Sequence, residues 1–299
     1  MKIATFSLAG ERRVGQVDEV NQIIVPFDLP MAQAEKGILA LIDQTDTTLP
    51  AMLTPMPLTE VQFDAPIPRP PRNIFCVGKN YYDHAHEFSN SGFDSSAAAS
   101  AVPSAPIIFS KVPESVIAHR ANVIIDSAVS LAVDYEVELA VIIGKTGHAI
   151  KSRDAFDYVW GYTIINDVTA RDLQGKYSQW LVGKSQDTFC PMGPWAVTRG
   201  HVDISSAGIR CWVNDELRQE SKLSLLIFDI PTIIETISAG VTLYPGDIIA
   251  TGTPAGVGIG FKPPKYLKPG DIVRMEIDGI GTLENQFVEK PVCRKLCGN

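Results

Sequence analysis

Residues 133–145, VDYEVELAVIIGK, constrain this chain more than any other segment. β-Branched and apolar residues dominate the run, which predicts a strand. Period-2 geometry then places Asp134, Glu136 and Glu138 on one face, with Val133, Tyr135, Val137 and Leu139 on the other. Glu136 and Glu138 would have Cα atoms about 7 Å apart. The strand runs on into residues 140–143, whose composition predicts burial on both faces. Like charges entering a core are costly: at an effective dielectric of 20, two of them 4 Å apart repel by about 4 kcal/mol. A hard cation such as Mg²⁺, Mn²⁺ or Ca²⁺ removes that cost and takes oxygen ligands readily. The plainer alternative is an exposed strand edge carrying solvated acids, and the apolar flanks favour the metal.

The rest of the chain reads as a β-rich molecule in two parts. Residues 1–66 suggest a small antiparallel meander (3–8, 13–17, 22–25) and a short helix at 37–44. The segment APIPRPPRN, residues 65–73, holds four prolines, which fit neither a helix nor a central strand. It predicts an extended connector, with a small N-terminal domain at 1–66 and a larger catalytic one at 67–299. Further strands are expected at 74–77, 107–109, 123–125, 135–143, 162–165, 209–213, 247–250 and 272–277. Helices are expected at 82–88, 155–159, 169–174 and 231–239. Pro-Gly-Asp at 245–247 and 269–271 predicts two type II turns, each ahead of a strand. Strands and helices do not alternate as in a doubly wound sheet. Residues 89–105 are small and polar, either a tolerated surface insertion or a lid that orders on ligand binding.

Charge and cysteine content narrow the function classes. The 26 basic and 34 acidic residues give a net charge of −8 and leave no basic stripe, which argues against nucleic acid and anionic membrane as partners. No run of apolar residues is long enough to span a bilayer. Glu11, Arg12 and Arg13 interrupt the N-terminus before a signal peptide could form, so the cytoplasm is the expected compartment. Cys76, Cys190, Cys211, Cys293 and Cys297 are odd in number and mostly scattered, which predicts reduced thiols. The C-x3-C pair at 293 and 297 lacks the histidines of a zinc site.

Other residues carry chemistry. Asp167 ends the apolar run YTIIN and is the natural third ligand beside Glu136 and Glu138; its ordinary alternative is to cap the helix that follows. His84 and Glu87 are three apart and share one helical face, where a carboxylate fixes the imidazole tautomer and raises its basicity. His86 points elsewhere, and the alternative for all three is a polar surface helix. Lys184, among Trp180, Leu181, Val182 and Phe189, is placed to neutralise an oxyanion unless it is an ordinary loop lysine. The glycine-rich run ATGTPAGVGIG, residues 250–260, permits close backbone approach to a ligand, with Thr251 and Thr253 as donors. It is neither a P-loop nor a dinucleotide fingerprint.

In this order, these motifs resemble the fumarylacetoacetate hydrolase superfamily. The carriers are GKNYYDHAHE (78–87), DYEVELAVIIGK (134–145), GYTIINDVTARDLQ (161–174), GKSQDTFCPMGP (183–194) and PGDIIATGTPAGVG (245–258). Within it, QWLVGKSQDTFCPMGP looks most like the subgroup of the domain-containing protein 2 relatives and the bacterial 2,4-dioxo-3-deoxy sugar acid hydrolases. The resemblance implies an α+β, β-rich fold, a rolled mixed β-sandwich with a small N-terminal domain, assembled as a homodimer. It implies Mg²⁺ or Mn²⁺ held by Glu136, Glu138 and Asp167, with His84 and Glu87 activating water. It further implies Lys184 near the reacting oxygen, Gln174 near a keto group and Thr253 on a substrate carboxylate. The insert at 89–105 departs from the pattern, because relatives pass quickly to the P-x-x-F-x-K strand, here Pro106, Phe109 and Lys111.

The reaction so implied is hydrolysis of the C–C bond of a 2,4-dioxo acid to pyruvate and a carboxylic acid, on a small anionic 2-oxo acid substrate. The same enolate chemistry admits a tautomerase, an isomerase or a decarboxylase of the oxaloacetate type. A non-catalytic metal-binding scaffold is the alternative outside enzymology. An iron dioxygenase is disfavoured, since its site needs two histidines and the candidate ligands here are all carboxylates.

Overall fold

The computed structural model describes residues 1–42, 49–92 and 100–291. Its frame is a 12-stranded mixed sheet, accompanied by a five-stranded and a two-stranded sheet. The N-terminal strands Lys2–Leu8, Glu11–Asp18 and Ile23–Pro26 form the antiparallel meander that their alternation predicts. Lys2–Leu8 also pairs with Cys190–Thr198, so the meander continues the large sheet. The proline-rich residues 65–73 form neither helix nor strand. One large apolar cluster joins the central strand Val137–Ile143 to Gly208–Val213, Ile272–Ile277 and Gly281–Glu289 of the five-stranded sheet. Helices are few and short, and the architecture is a β-rich α+β sandwich.

The acid-bearing run departs from one continuous strand. Val133–Asp134 pairs with Thr169–Ala170, whereas Val137–Ile143 pairs with Val159–Asn166 on one side and Ile248–Ala250 on the other. Tyr135 and Glu136 lie in the break where the partner changes. The simple alternation of faces therefore stops at residue 135. The whole segment 133–143 is buried, acids included, which excludes a solvated edge.

Other boundaries differ for local reasons. The expected helix at 155–159 is a 3-10 segment, Ser152–Tyr158. The one expected at 169–174 starts later, at Arg171–Lys176, because Thr169 and Ala170 are spent on the two-stranded ladder. The helix Ile230–Ser238 is set by Asp229, which accepts the Thr232 N–H, and by Pro231 in its first turn. At 37–44 the described part is Leu39–Ile42, and residues 43–44 lie outside the described residues. Gly246 and Gly270 have φ of 85° and 101°, as type II turns require.

His119 ties the N-terminal segment to the second sheet. Its ring stands edge-on to Phe63, and its Nδ1 accepts the backbone N–H of Glu284 at 3.1 Å. Burial, with Arg120 adding to it, pushes the imidazole from its ordinary 6.5 down to about 4. Protonation would convert the Nδ1 acceptor into a donor facing an N–H. Because the folded value is depressed for a base, His119's contribution to stability is complete above about pH 6.5 and is lost as pH falls towards 4. The loss is at most about 3 kcal/mol. Urea midpoints measured across this window should fall, and His119→Asn should fall less steeply; equal slopes would refute the role.

Candidate active site

Two neighbouring antiparallel strands bring the acids together. Glu138 sits on Val137–Ile143, opposite Ile165. Asp167 follows the strand Val159–Asn166, and its backbone N–H donates to the Glu136 carbonyl at 2.9 Å. The Glu136 N–H in turn donates to Asn166 Oδ1 at 3.1 Å. Residues distant in sequence thus end side by side. One carboxylate oxygen from each of Glu136, Glu138 and Asp167 lies within 4.8 Å of the others, and all three residues are buried.

Buried carboxylates need counter-charge. Lys184 Nζ lies 2.7 Å from Glu136 Oε2 and 2.7 Å from Asp167 Oδ2. Lys111 Nζ donates to Asp167 Oδ1 at 2.8 Å. Arg171 Nη2 is 2.7 Å from Glu136 Oε1, an ion pair off the line of a hydrogen bond. Burial opposes ionisation of Glu136, but Lys184, Arg171 and His84 outweigh it and draw its carboxyl down to about 2. Burial likewise opposes the Lys184 charge, and Asp167 and Glu136 more than restore it.

Glu138 is different. It accepts the Gly252 N–H at 2.8 Å and, among the described residues, makes no ion pair. Burial, reinforced by Asp167 and then Glu136, pushes its carboxyl well above the usual range. One deficient carboxylate beside two others is a donor set that a divalent cation fits, since the ion supplies the charge that Glu138 lacks.

Asp134 does not join this cluster. The break in the strand turns it towards Arg171 Nε, at 2.8 Å, and the backbone N–H groups of Gly258 and Ile259, at 2.7 and 3.0 Å. Asp167 does not cap the helix, which starts at Arg171 after Ala170 and has no side-chain cap. Lys184 is no loop lysine: it ends the short helix Leu181–Lys184 and is 2% exposed.

The helix Tyr82–Ser89 carries the second group. His84 Nδ1 lies 3.2 Å from Glu87 Oε2, while His86 is exposed. Glu87 also accepts the Gly256 N–H at 3.0 Å. Gly260 leaves the room for this: a Cβ there would lie 1.9 Å from Glu87 Oε1. The glycine-rich run therefore approaches the protein's own carboxylates, Glu87 and Asp134. Gln174 Oε1 accepts from Arg171 Nη1 at 3.1 Å, and Thr253 Oγ1 accepts from Gln219 Nε2 at 2.8 Å; both side chains are buried.

A narrow cleft is lined by His84, Glu136, Glu138, Gln174, Lys184 and Thr253. Lys79, Arg171 and an aromatic side, Phe88, Phe109 and Trp180, complete its polar and apolar walls. Sequence reasoning did not single out Arg171 or Lys111 for the site. The signal was there: buried acids in such number require buried bases, and Arg171 lies in the motif that carries Asp167 while Lys111 ends the P-x-x-F-x-K strand. Residues 93–99 of the insert, and Cys293 with Cys297, lie outside the described residues.

Asp134 and Arg171 form a buried pair whose rupture strands a charge. Asp134→Asn should cost about 3–5 kcal/mol of unfolding free energy, as for other buried pairs broken on one side. Denaturant titration checks this, and a cost below about 1 kcal/mol would count against the structural role of the pair.

Comparison with known proteins places the chain in a family. Residues 73–288 match the model of the fumarylacetoacetate (FAA) hydrolase C-terminal family. The chain is 50% identical over 231 residues to the oxaloacetate tautomerase YisK of Bacillus subtilis, covering 77% of this chain and 74% of that protein. It is 44% identical over 277 residues to the human mitochondrial oxaloacetate tautomerase FAHD2A, covering 92% and 84%. Among solved structures, a fumarylacetoacetate hydrolase of Exiguobacterium antarcticum superposes with a TM-score of 0.79 at 38% identity, covering 97% of this chain and all (100%) of that one. A maleylpyruvate hydrolase of Sphingobium sp. SYK-6, solved with manganese(II) ion and pyruvate, superposes with a TM-score of 0.76 at 29% identity, covering 97% and 100%. The chain belongs to the fumarylacetoacetate hydrolase family.

Proposed function

We propose that this protein is a divalent-metal-dependent oxaloacetate tautomerase, interconverting the keto and enol forms of a short 2-oxo dicarboxylic acid. The observation that carries the reading is the likeness, at 50% and 44% identity, to relatives named oxaloacetate tautomerases. The cleft suits that reaction because it joins a His–Glu pair to a carboxylate cluster. The C–C bond hydrolase expected from the motifs becomes the second reading, supported by the solved maleylpyruvate hydrolase.

Glu136, Glu138 and Asp167 would hold Mg²⁺ or Mn²⁺. Such an ion supplies Lewis acidity towards the adjacent carboxylate and carbonyl oxygens of a 2-oxo acid. The chain's own residues do the rest. Glu87 accepts from His84 Nδ1, which leaves Nε2 as the basic nitrogen. His84 takes the proton from C3 of the substrate, and the electron pair moves into the C2–C3 bond and onto the C2 oxygen. That oxygen acquires a proton exchanged with solvent, giving the enol; the reverse passage returns a proton to C3 through His84. Lys184 offsets negative charge developing at the oxygen, and Gln174 and Thr253 orient the keto group and the carboxylate. No water has to attack carbon, so the pair moves one proton and breaks no C–C bond. Assembly as a homodimer and a cytoplasmic location belong to the same proposal and are read out by sedimentation and fractionation.

With Mg²⁺ or Mn²⁺ added, the protein should accelerate keto–enol interconversion of oxaloacetate above the buffer rate, followed by enol absorbance and by exchange of the C3 protons in D₂O. His84→Ala should lower kcat roughly 10²–10⁴-fold. NMR of the products distinguishes the rivals: pyruvate with CO₂ marks a decarboxylase, and an acylpyruvate converted to pyruvate with a carboxylic acid marks a hydrolase. An interconversion rate no faster than buffer would sink the proposal.

Glu138→Gln replaces a carboxyl whose ionisation is opposed by burial, Asp167 and Glu136 with a neutral isostere. The metal-free variant should melt at a higher temperature than the unaltered protein, and the rise in Tm on adding Mn²⁺ should vanish. A variant that melts lower and still gains stability from Mn²⁺ would exclude Glu138 as a ligand.

A further inference from the structure

The apolar side of the cleft is organised around one ring. Trp180 stands edge-on to Phe109, with centroids 5.2 Å apart, and to Phe88, with centroids 6.1 Å apart. Behind it lies Gly78, where a Cβ would sit 2.5 Å from Trp180 Cζ3. The indole therefore rests against bare backbone, in a place that no other residue at position 78 would leave open. It is 7% exposed and held by Gly78, Phe88 and Phe109, which makes it a fixed wall. Trp180 lines the same cleft as Glu136, Glu138, Gln174 and Lys184. In the oxaloacetate reading those polar groups would anchor the C1 carboxylate and C2 oxygen of a 2-oxo acid. A skeleton so anchored would, beyond C4, run along the apolar lining formed by Val77 and the aromatic side.

We propose that Trp180 is a specificity-determining residue that sets the longest carbon skeleton this cleft admits, confining it to short 2-oxo acids. The inference rests on the oxaloacetate reading for the anchored end of the substrate and on packing for the limited end. Each methylene that a rigid apolar wall refuses is worth roughly tenfold or more in discrimination. Phe88 and Phe109 cannot replace Trp180 in this role, because its ring is the element that spans them.

The test compares Mg²⁺-loaded wild type, Trp180→Ala and Trp180→Phe. Equilibrium binding of oxaloacetate, 2-oxoglutarate and 2-oxoadipate is measured by calorimetry, with KM and kcat for oxaloacetate alongside. Wild type should bind each longer acid roughly tenfold more weakly than the one before. Trp180→Ala should compress that ladder to about threefold or less per step, with Trp180→Phe between the two. Circular dichroism melts establish that the variants are folded, and if the alanine variant is not, the phenylalanine variant decides. A wild type that binds all three acids equally, or folded variants whose ladder parallels wild type, would overturn the proposal. A wild type that shows the ladder yet fails to interconvert oxaloacetate would sink the reaction and leave the wall standing. Turnover of oxaloacetate with a flat ladder would do the reverse.

Discussion

The buried carboxyl of Glu138, which among the described residues has no ion-pair partner, is the constraint on which the rest of this site depends. Among the described residues, the buried carboxylates Asp134, Glu136 and Asp167 are ion-paired with the buried cations Lys111, Arg171 and Lys184, and Glu138 is not. Three of the acids are matched closely by ammonium or guanidinium groups. Glu138, among the described residues, accepts a backbone N–H and makes no ion pair. A protein gains little stability from a buried ionic cluster of this kind, because desolvation offsets most of the attraction. Its persistence here makes sense as preorganisation. The pairs hold the Glu136 and Asp167 carboxyls in place, and Glu138 adds the oxygen ligand that a divalent ion would charge-compensate.

The scaffold turns that charge pattern into geometry. Antiparallel pairing of Val137–Ile143 with Val159–Asn166 delivers Glu136 and Asp167 to the same end of the sheet. On the other side, Thr251 N–H donates to the Leu139 carbonyl at 2.9 Å and brings Gly252 and Thr253 next to Glu138. The dyad helix is anchored independently: Asn80 bonds Phe228 and Thr251, so the loop before His84 is held to the loop that carries Thr253. Acid cluster and base therefore share rigid supports, which proton transfer to a carbon requires.

Much of this was legible in the sequence because charge among β-branched residues is informative. The acids at 136 and 138, and the three-residue spacing of His84 and Glu87, could be read directly. Face alternation failed at Asp134, since it assumes one ladder and here the strand changes partners at Tyr135 and Glu136. A change of partner leaves no mark on hydrophobic period. The counter-ions were harder still. Lys111 looks like any strand lysine, and Arg171 like the first turn of a helix, until the fold brings acids from elsewhere against them. The aromatic wall was invisible for the same reason: Phe88, Trp180 and Gly78 come from separate segments, and only their packing makes a surface.

The same constellation also explains how one fold serves both proton transfer and C–C cleavage. A base, a carboxylate cluster and a lysine generate an enolate equivalent in either case, and the outcome turns on what lies beyond C3 and on whether water reaches it. An acyl group at C4 needs space past the aromatic side, and its hydrolysis needs a water between His84 and that carbon. On the proposed reading, a cleft walled by an indole seated on bare glycine backbone would hold a short diacid close to the imidazole and leave that space small. Proton return to C3 is then the cheaper exit for the electron pair. In this view reaction type is decided less by the catalytic groups than by the shape of the cleft opposite them.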